Sequence, residues 1–104
     1  MAKSASPMDL DKVIHERSRL AIMAALMARD EMTFQELKEE VGMTDGNLSV
    51  HAHVLETAGY VRIEKSFVEK KPQTRLAVTD AGQSAFRKYI GQLEQVVLEG
   101  KQRG

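Results

Sequence analysis

Two helix signals with a single residue between them constrain this chain more than any other feature. In "TFQELKEEVGMT", Thr33 is followed three residues later by Glu36. This is the capping-box pattern, in which each side chain satisfies an orphan N–H at a helix start. The helix it opens, Phe34 to Val41, meets Gly42, which can take the left-handed conformation of a helix C-terminus. Only Met43 separates Gly42 from Thr44, the next N-cap residue, and the following helix places Leu48, Ala52 and Leu55, with His51 beside them, on one stripe before Gly59 ends it. Two short helices joined by a glycine turn form a helix-turn-helix.

The flanks add the remaining elements. Leu10, Val13 and Ile14 recur at helical spacing, "HERS" interrupts, and Leu20, Ile22, Met23, Leu26 and Met27 resume it, which predicts one broken helix or two close ones. Met32 adds a very short strand. After Gly59 the period becomes two: Val61, Ile63 and Phe67 alternate with Arg62, Glu64 and Ser66, and Leu76 and Val78 continue the alternation beyond the charged "VEKKPQT". This reads as a β-hairpin with a long, basic, mobile loop. Thr79 caps a last helix running to about Leu98, with Gly82 and Gly91 each weakening it by about 1 kcal/mol relative to alanine.

Bulk properties narrow the function classes. The 104 residues suffice for one domain. The absence of cysteine removes disulfides, thiolate metal sites and a cysteine nucleophile, and a reducing, cytoplasmic setting is expected. The longest apolar stretch, Leu20 to Ala28, is about half a membrane span, so no membrane partner is expected. "MAKSASPM" lacks the apolar core of a signal peptide. Fifteen basic residues balance fifteen acidic ones, so any electrostatic footprint on nucleic acid must be local.

The stretches "RLAIMAAL", "TFQELKEEVGMTDGNLSVHAHVLETAGYV" and "VTDAG" resemble the winged-helix DNA-binding domains of MarR/ArsR-like transcriptional regulators, and among them the minimal single winged-helix subgroup. The match spans about Leu10 to Leu93. It implies a mainly α fold with a small β-hairpin (α+β), a winged helix-turn-helix with a C-terminal dimerisation helix. Residues 1–8 are then a flexible tail, and 9–80 the DNA-binding domain, with a recognition helix at about 44–58 and a wing at about 61–78. Residues 79–99 form the dimerisation helix. The resemblance also implies a homodimer that docks one recognition helix per subunit in successive major grooves of double-stranded DNA, with the wings over flanking minor grooves or backbone. Related regulators bind effectors in an apolar cavity near the dimer helix, so a small-molecule effector is a further implied partner. No residue here identifies it.

Within that frame the outward arc of helix 44–58 carries the expected readers. Asn47 can pair with adenine, Ser49 can meet base or phosphate, Val50 can touch a thymine methyl, and His53 shares their face. Thr44 and the free N–H groups of the first turn suit a phosphate. That helix contains no lysine or arginine, and Asp45 opposes phosphate. The charge is therefore expected from the wing, where Val61 to Arg75 holds five basic and two acidic residues. Lys70, Lys71 and Arg75 are the chosen contacts, with Arg17 and Arg19 contributing from the first helix. The acidic helix before, with Glu36, Glu39 and Glu40, leaves a competing reading open: a winged helix serving as a protein-interaction module.

The last helix bears an apolar seam, Tyr89, Ile90, Leu93, Val96 and Val97, expected to form a subunit interface joined by Leu10 and Ile14. Catalysis, cofactors and metals are not expected. His15, His51 and His53 form no metal-ligand array, and no HExxH, phosphate-cradling loop or nucleophile elbow occurs. His51 reads as a core-edge residue.

Overall fold

Side-chain caps set the element boundaries. In the computed structural model, which describes residues 6–103, α1 (Arg17–Arg29) begins where the Glu16 carboxylate turns back to accept from the Arg19 N–H. β1 (Glu31–Thr33) leads into α2 (Phe34–Val41), which opens on the reciprocal capping box of Thr33 and Glu36, at 3.1 and 2.8 Å. α2 stops at Gly42, whose φ of 66° is left-handed backbone that favours glycine. Thr44 caps α3 (Asp45–Thr57) by accepting from the Asn47 N–H. Then come β2 (Val61–Val68), β3 (Lys71–Val78) and α4 (Asp80–Arg103). This is the expected winged helix-turn-helix order.

The three strands form one antiparallel sheet in the order β1-β3-β2. β1 pairs only with the second half of β3, from Thr33↔Arg75 to Glu31↔Ala77, whereas β2 pairs with all of β3. The inner face of the sheet and the three short helices enclose a core of Ile22, Met23, Leu26, Met32, Leu37, Leu48, Leu55 and Leu76, all essentially inaccessible. Burying each such side chain stabilises the fold by about 1.5–3 kcal/mol. Leu48, Ala52 and Leu55 point into this core as their spacing predicts, which turns the opposite arc of α3 outward.

A second, smaller cluster of Leu10, Ile14 and Tyr89 packs the segment before α1 onto α4. Thr79 joins this end of the molecule to α3: its hydroxyl donates to the Gly59 carbonyl at 2.6 Å and accepts from the Gly82 N–H at 3.0 Å. A Cβ at residue 82 would fall 2.1 Å from the Tyr60 carbonyl oxygen. The glycine that weakens α4 in isolation is thus demanded by the close approach of another backbone.

Four expectations are corrected. Residues 1–5 of the expected tail lie outside the described residues, but Pro7–Asp9 form a capped 3-10 turn. Residues 10–16 are a run of turns and bends: the Asp11 carboxylate accepts from the Val13 and Ile14 N–H groups and caps a single turn, which ends where Glu16 takes extended backbone to cap α1. The hairpin loop is short: strands extend through Phe67 and Pro72, and only Glu69 and Lys70 turn the chain. α4 continues unbroken to Arg103, past both glycines and beyond Leu98.

Candidate functional site

α3 presents an uncharged outer face beside a charged wing. Asn47, Ser49, Val50 and His53 are all exposed, Val50 at 62%. Between this face and the inner face of the wing lies a groove of about 660 Å³, lined from the helix by Ser49, His53 and Glu56 and from the strands by Ile63, Lys65 and Thr74. A second concavity, of about 400 Å³, brings Arg17 and Ser18 at the start of α1 to Thr44 and Asn47 at the start of α3. N–H groups at a helix start attract anions, and Arg17 adds a cation at the same place.

Ion pairing sorts the basic residues into two groups. Arg62 pairs with Glu64, Arg29 with Glu40 at 3.2 Å and Arg75 with Glu31 at 3.1 Å. Arg75, an expected phosphate or minor-groove contact, sits where β3 pairs with β1, back from the wing tip, and its guanidinium holds the Glu31 carboxylate. Arg19 is engaged within the chain. Its Nε donates to the Val13 carbonyl at 2.6 Å and its Nη1 to His51 Nδ1 at 3.1 Å.

Lys65, Lys70, Lys71 and Arg17 form no ion pair among the described residues. Lys65 is not among the contacts that the sequence singles out. The strand alternation that puts it on one face with Val61 and Ile63 was the available signal.

The acidic objection shrinks in the folded chain. Lys38 Nζ lies 2.8 Å from the Asp45 carboxylate, so the acid in the first turn of α3 carries its own counterion. Glu36 is held by Thr33, whose N–H and hydroxyl lower its pKa below the ordinary carboxylate value. Glu40 is taken up by Arg29. Of these acids, Asp45 and Glu40 thus carry their own counterions, while Glu36 stays ionised in its capping role.

His51 is half-buried at the edge of the core, between α3 and the segment before α1, as its reading predicts. Arg19 can only donate, so His51 Nδ1 is the acceptor of their contact. The nearby Glu16 carboxylate feels burial, which raises its pKa, but the Arg19 and Ser18 N–H groups and the Arg19 charge outweigh it and leave the pKa lowered. This cluster ties α3 to the N-terminal segment. On the far side His15 Nδ1 lies 2.7 Å from the Tyr89 hydroxyl.

The proposed interface residues divide. Leu10, Ile14 and Tyr89 are covered within the chain itself, at 6%, 0% and 1% exposure, so they do not face a partner. The aromatic ring and the two aliphatic side chains satisfy one another in the small second core. Ile90 and Leu93 are half-buried against that cluster, and Val96 is half-buried beyond it. Val97 and Leu98 stand exposed. Among the described residues no group of acidic and histidine side chains is placed to hold a metal, and no helix is long and apolar enough to cross a membrane.

Comparison with known proteins follows the same lines. A family model described as a winged helix DNA-binding domain matches residues 18–97, from α1 through most of α4. An uncharacterised protein of Methanocaldococcus jannaschii is 34% identical over 85 residues, which cover 82% of this chain and 92% of that protein. A transcriptional regulator homologue from Pyrococcus horikoshii superposes with a TM-score of 0.80 at 29% identity, over 89% of this chain and 90% of that one. A MarR-family transcriptional regulator from Silicibacter pomeroyi superposes with a TM-score of 0.65 at 18% identity, over 79% of this chain and 54% of that one, a likeness of fold.

Proposed function

The chain belongs to the winged helix DNA-binding domain family, and from that premise we propose that it is a homodimeric transcriptional regulator reading operator DNA. α3 enters the major groove, where Asn47, Ser49, Val50 and His53 meet base edges. Thr44 and Arg17 hold a phosphate at the start of that helix, and Lys65, Lys70 and Lys71 hold the flanking backbone or minor groove. The observation that carries this reading is the placement of four unpaired cations: Arg17 borders the concavity at the start of α3, Lys65 borders the groove between α3 and the wing, and Lys70 and Lys71 lie at the wing tip, none with a carboxylate partner among the described residues.

The neutral readers and peripheral cations divide the labour. Cations release condensed counterions and make binding steeply salt-dependent, whereas amide, hydroxyl and methyl contacts discriminate among bases. Each subunit binds modestly, and the C-terminal half of α4 supplies the second copy.

Fluorescence anisotropy of a labelled duplex from upstream of the protein's coding region, titrated at two salt concentrations, tests this. Sub-micromolar binding (on the order of the weaker specific complexes) that weakens steeply with salt and is poorer for scrambled DNA is the expected result. Lys70→Ala with Lys71→Ala should flatten the salt slope by about two per subunit and weaken all sequences alike. Asn47→Ala should relax preference at one base pair, at about 1–3 kcal/mol. Absence of binding at low salt would shift the assignment to a protein-interaction module.

A further inference from the structure

We propose that Phe67 is an apolar wedge that the wing inserts into the minor groove beside the operator contact, partly unstacking one base step and adding specificity there. This rests on the DNA-binding reading above and names a residue which that reading does not use. The strand alternation of β2 places Phe67 on the face that carries Val61, Ile63 and Lys65. Along that face cover runs out: Val61 is buried, Ile63 half-buried, Lys65 exposed, and Phe67 is 75% exposed. The reason is the sheet topology. β1 stops opposite Arg75, so the hairpin beyond it has no third strand, and Phe67 lies past Lys65 and Thr74, the last residues of the wing that border the groove with α3.

An aromatic ring at that place contributes nothing to the core. Its cross-strand neighbour is Pro72, and a two-residue turn with φ of 52° and 67° closes the hairpin immediately beyond them. The ring is therefore carried on a short, stiff tip. Lys65 shares its strand face, and Lys70 and Lys71 follow at the turn beside Glu69; none of the three lysines has a carboxylate partner among the described residues.

Size and charge select the occupant. The ring offers on the order of 200 Å², well below the ~800 Å² per partner of a stable protein interface. An exposed ring next to three unpaired lysines, against the single acid Glu69, matches a polyanion with apolar clefts, which is what phosphates flanking stacked bases present. Minor-groove wedges of this kind kink the duplex and act where unstacking is easiest. The inferred preference is for a pyrimidine–purine step under the wing, read through deformability with no base-edge hydrogen bond.

The test uses the full chain and the upstream duplex with 2-aminopurine replacing single adenines across the flanks, and dyes at both ends. Wild type should raise 2-aminopurine fluorescence at one flanking step per subunit and shorten the end-to-end distance. Phe67→Ala should abolish both signals and weaken binding by about tenfold with the salt slope kept, while Phe67→Leu retains much of the bend. Lys70→Ala with Lys71→Ala should lower the slope and keep the unstacking signal. Unchanged affinity and fluorescence in Phe67→Ala would overturn the wedge and leave the regulator reading standing. Absence of DNA binding by wild type would overturn both. Loss of self-association in Phe67→Ala, with DNA binding and bending intact, would assign the ring to a second copy and overturn the wedge.

Discussion

Tyr60 joins three parts of the chain that no motif connects. Its N–H donates to the Leu55 carbonyl at the end of α3, its carbonyl accepts from the Thr79 N–H at 3.0 Å and lies against Gly82, and its hydroxyl donates to the Asp11 carboxylate. That hydrogen bond, with burial and the Asp11 charge behind it, pushes the Tyr60 pKa up to about 12 from an ordinary value of 10.0. A raised pKa means the folded chain holds the proton more tightly. The contribution is intact below pH 10 and is lost as pH rises towards 12, where the unfolded chain ionises first. Urea unfolding at about pH 8 and about pH 11 should therefore show an alkaline loss that Tyr60→Phe largely removes, at a cost of about 1 kcal/mol near neutrality. A smaller alkaline loss remains from Tyr89, raised by its burial. If Tyr60→Phe kept the whole alkaline loss, the Asp11 contact would not be its source.

The hairpin shows a conflict between stability and use. Glu69 and Lys70 both take positive φ, where asparagine and glycine are favoured and side chains with a Cβ are strained. Replacing the pair by Asn-Gly should stabilise the hairpin by about 1 kcal/mol and weaken DNA binding through loss of the Lys70 cation. Thermal unfolding combined with the anisotropy titration checks both signs; a variant that gained stability and bound DNA equally well would show the tip charge to be idle. The same pair explains why the wing tip reads as a long loop in the sequence. Its period of two was plain in Val61, Ile63, Leu76 and Val78, but Glu-Lys carries no turn signature and Pro72 reads as loop. Proline is tolerated there because only β2 flanks that part of β3, so its missing N–H can face the open edge.

The whole molecule is elongated, with extents of 57 × 24 × 20 Å, and α4 accounts for about 36 Å of that length. Its first half is covered by Leu10 and Ile14, while its second half exposes Val97 and Leu98 beside half-buried Ile90, Leu93 and Val96. A dimer formed there predicts that Val97→Glu yields monomers in sedimentation with little change in unfolding temperature, since that side chain is half exposed in the single chain. A Val97→Glu protein still sedimenting as a dimer would place the interface elsewhere.

Element order was legible before any coordinates because caps, glycine C-termini and hydrophobic period are local. Thr33 with Glu36, Gly42 and Thr44 specify the helix-turn-helix within twelve residues. The outward face of α3 followed from Leu48, Ala52 and Leu55 by the same logic. What those signals could not carry was partnership between distant residues. Arg75 meets Glu31 across 44 positions, Arg19 meets His51 across 32, and Tyr60 meets Asp11 across 49. Which cations stay free, which apolar side chains of α4 are already covered and where the wing leaves the body all depend on such pairings. They are consequences of chain folding in three dimensions, where charge neutralisation and burial are settled by neighbours that the sequence places far apart.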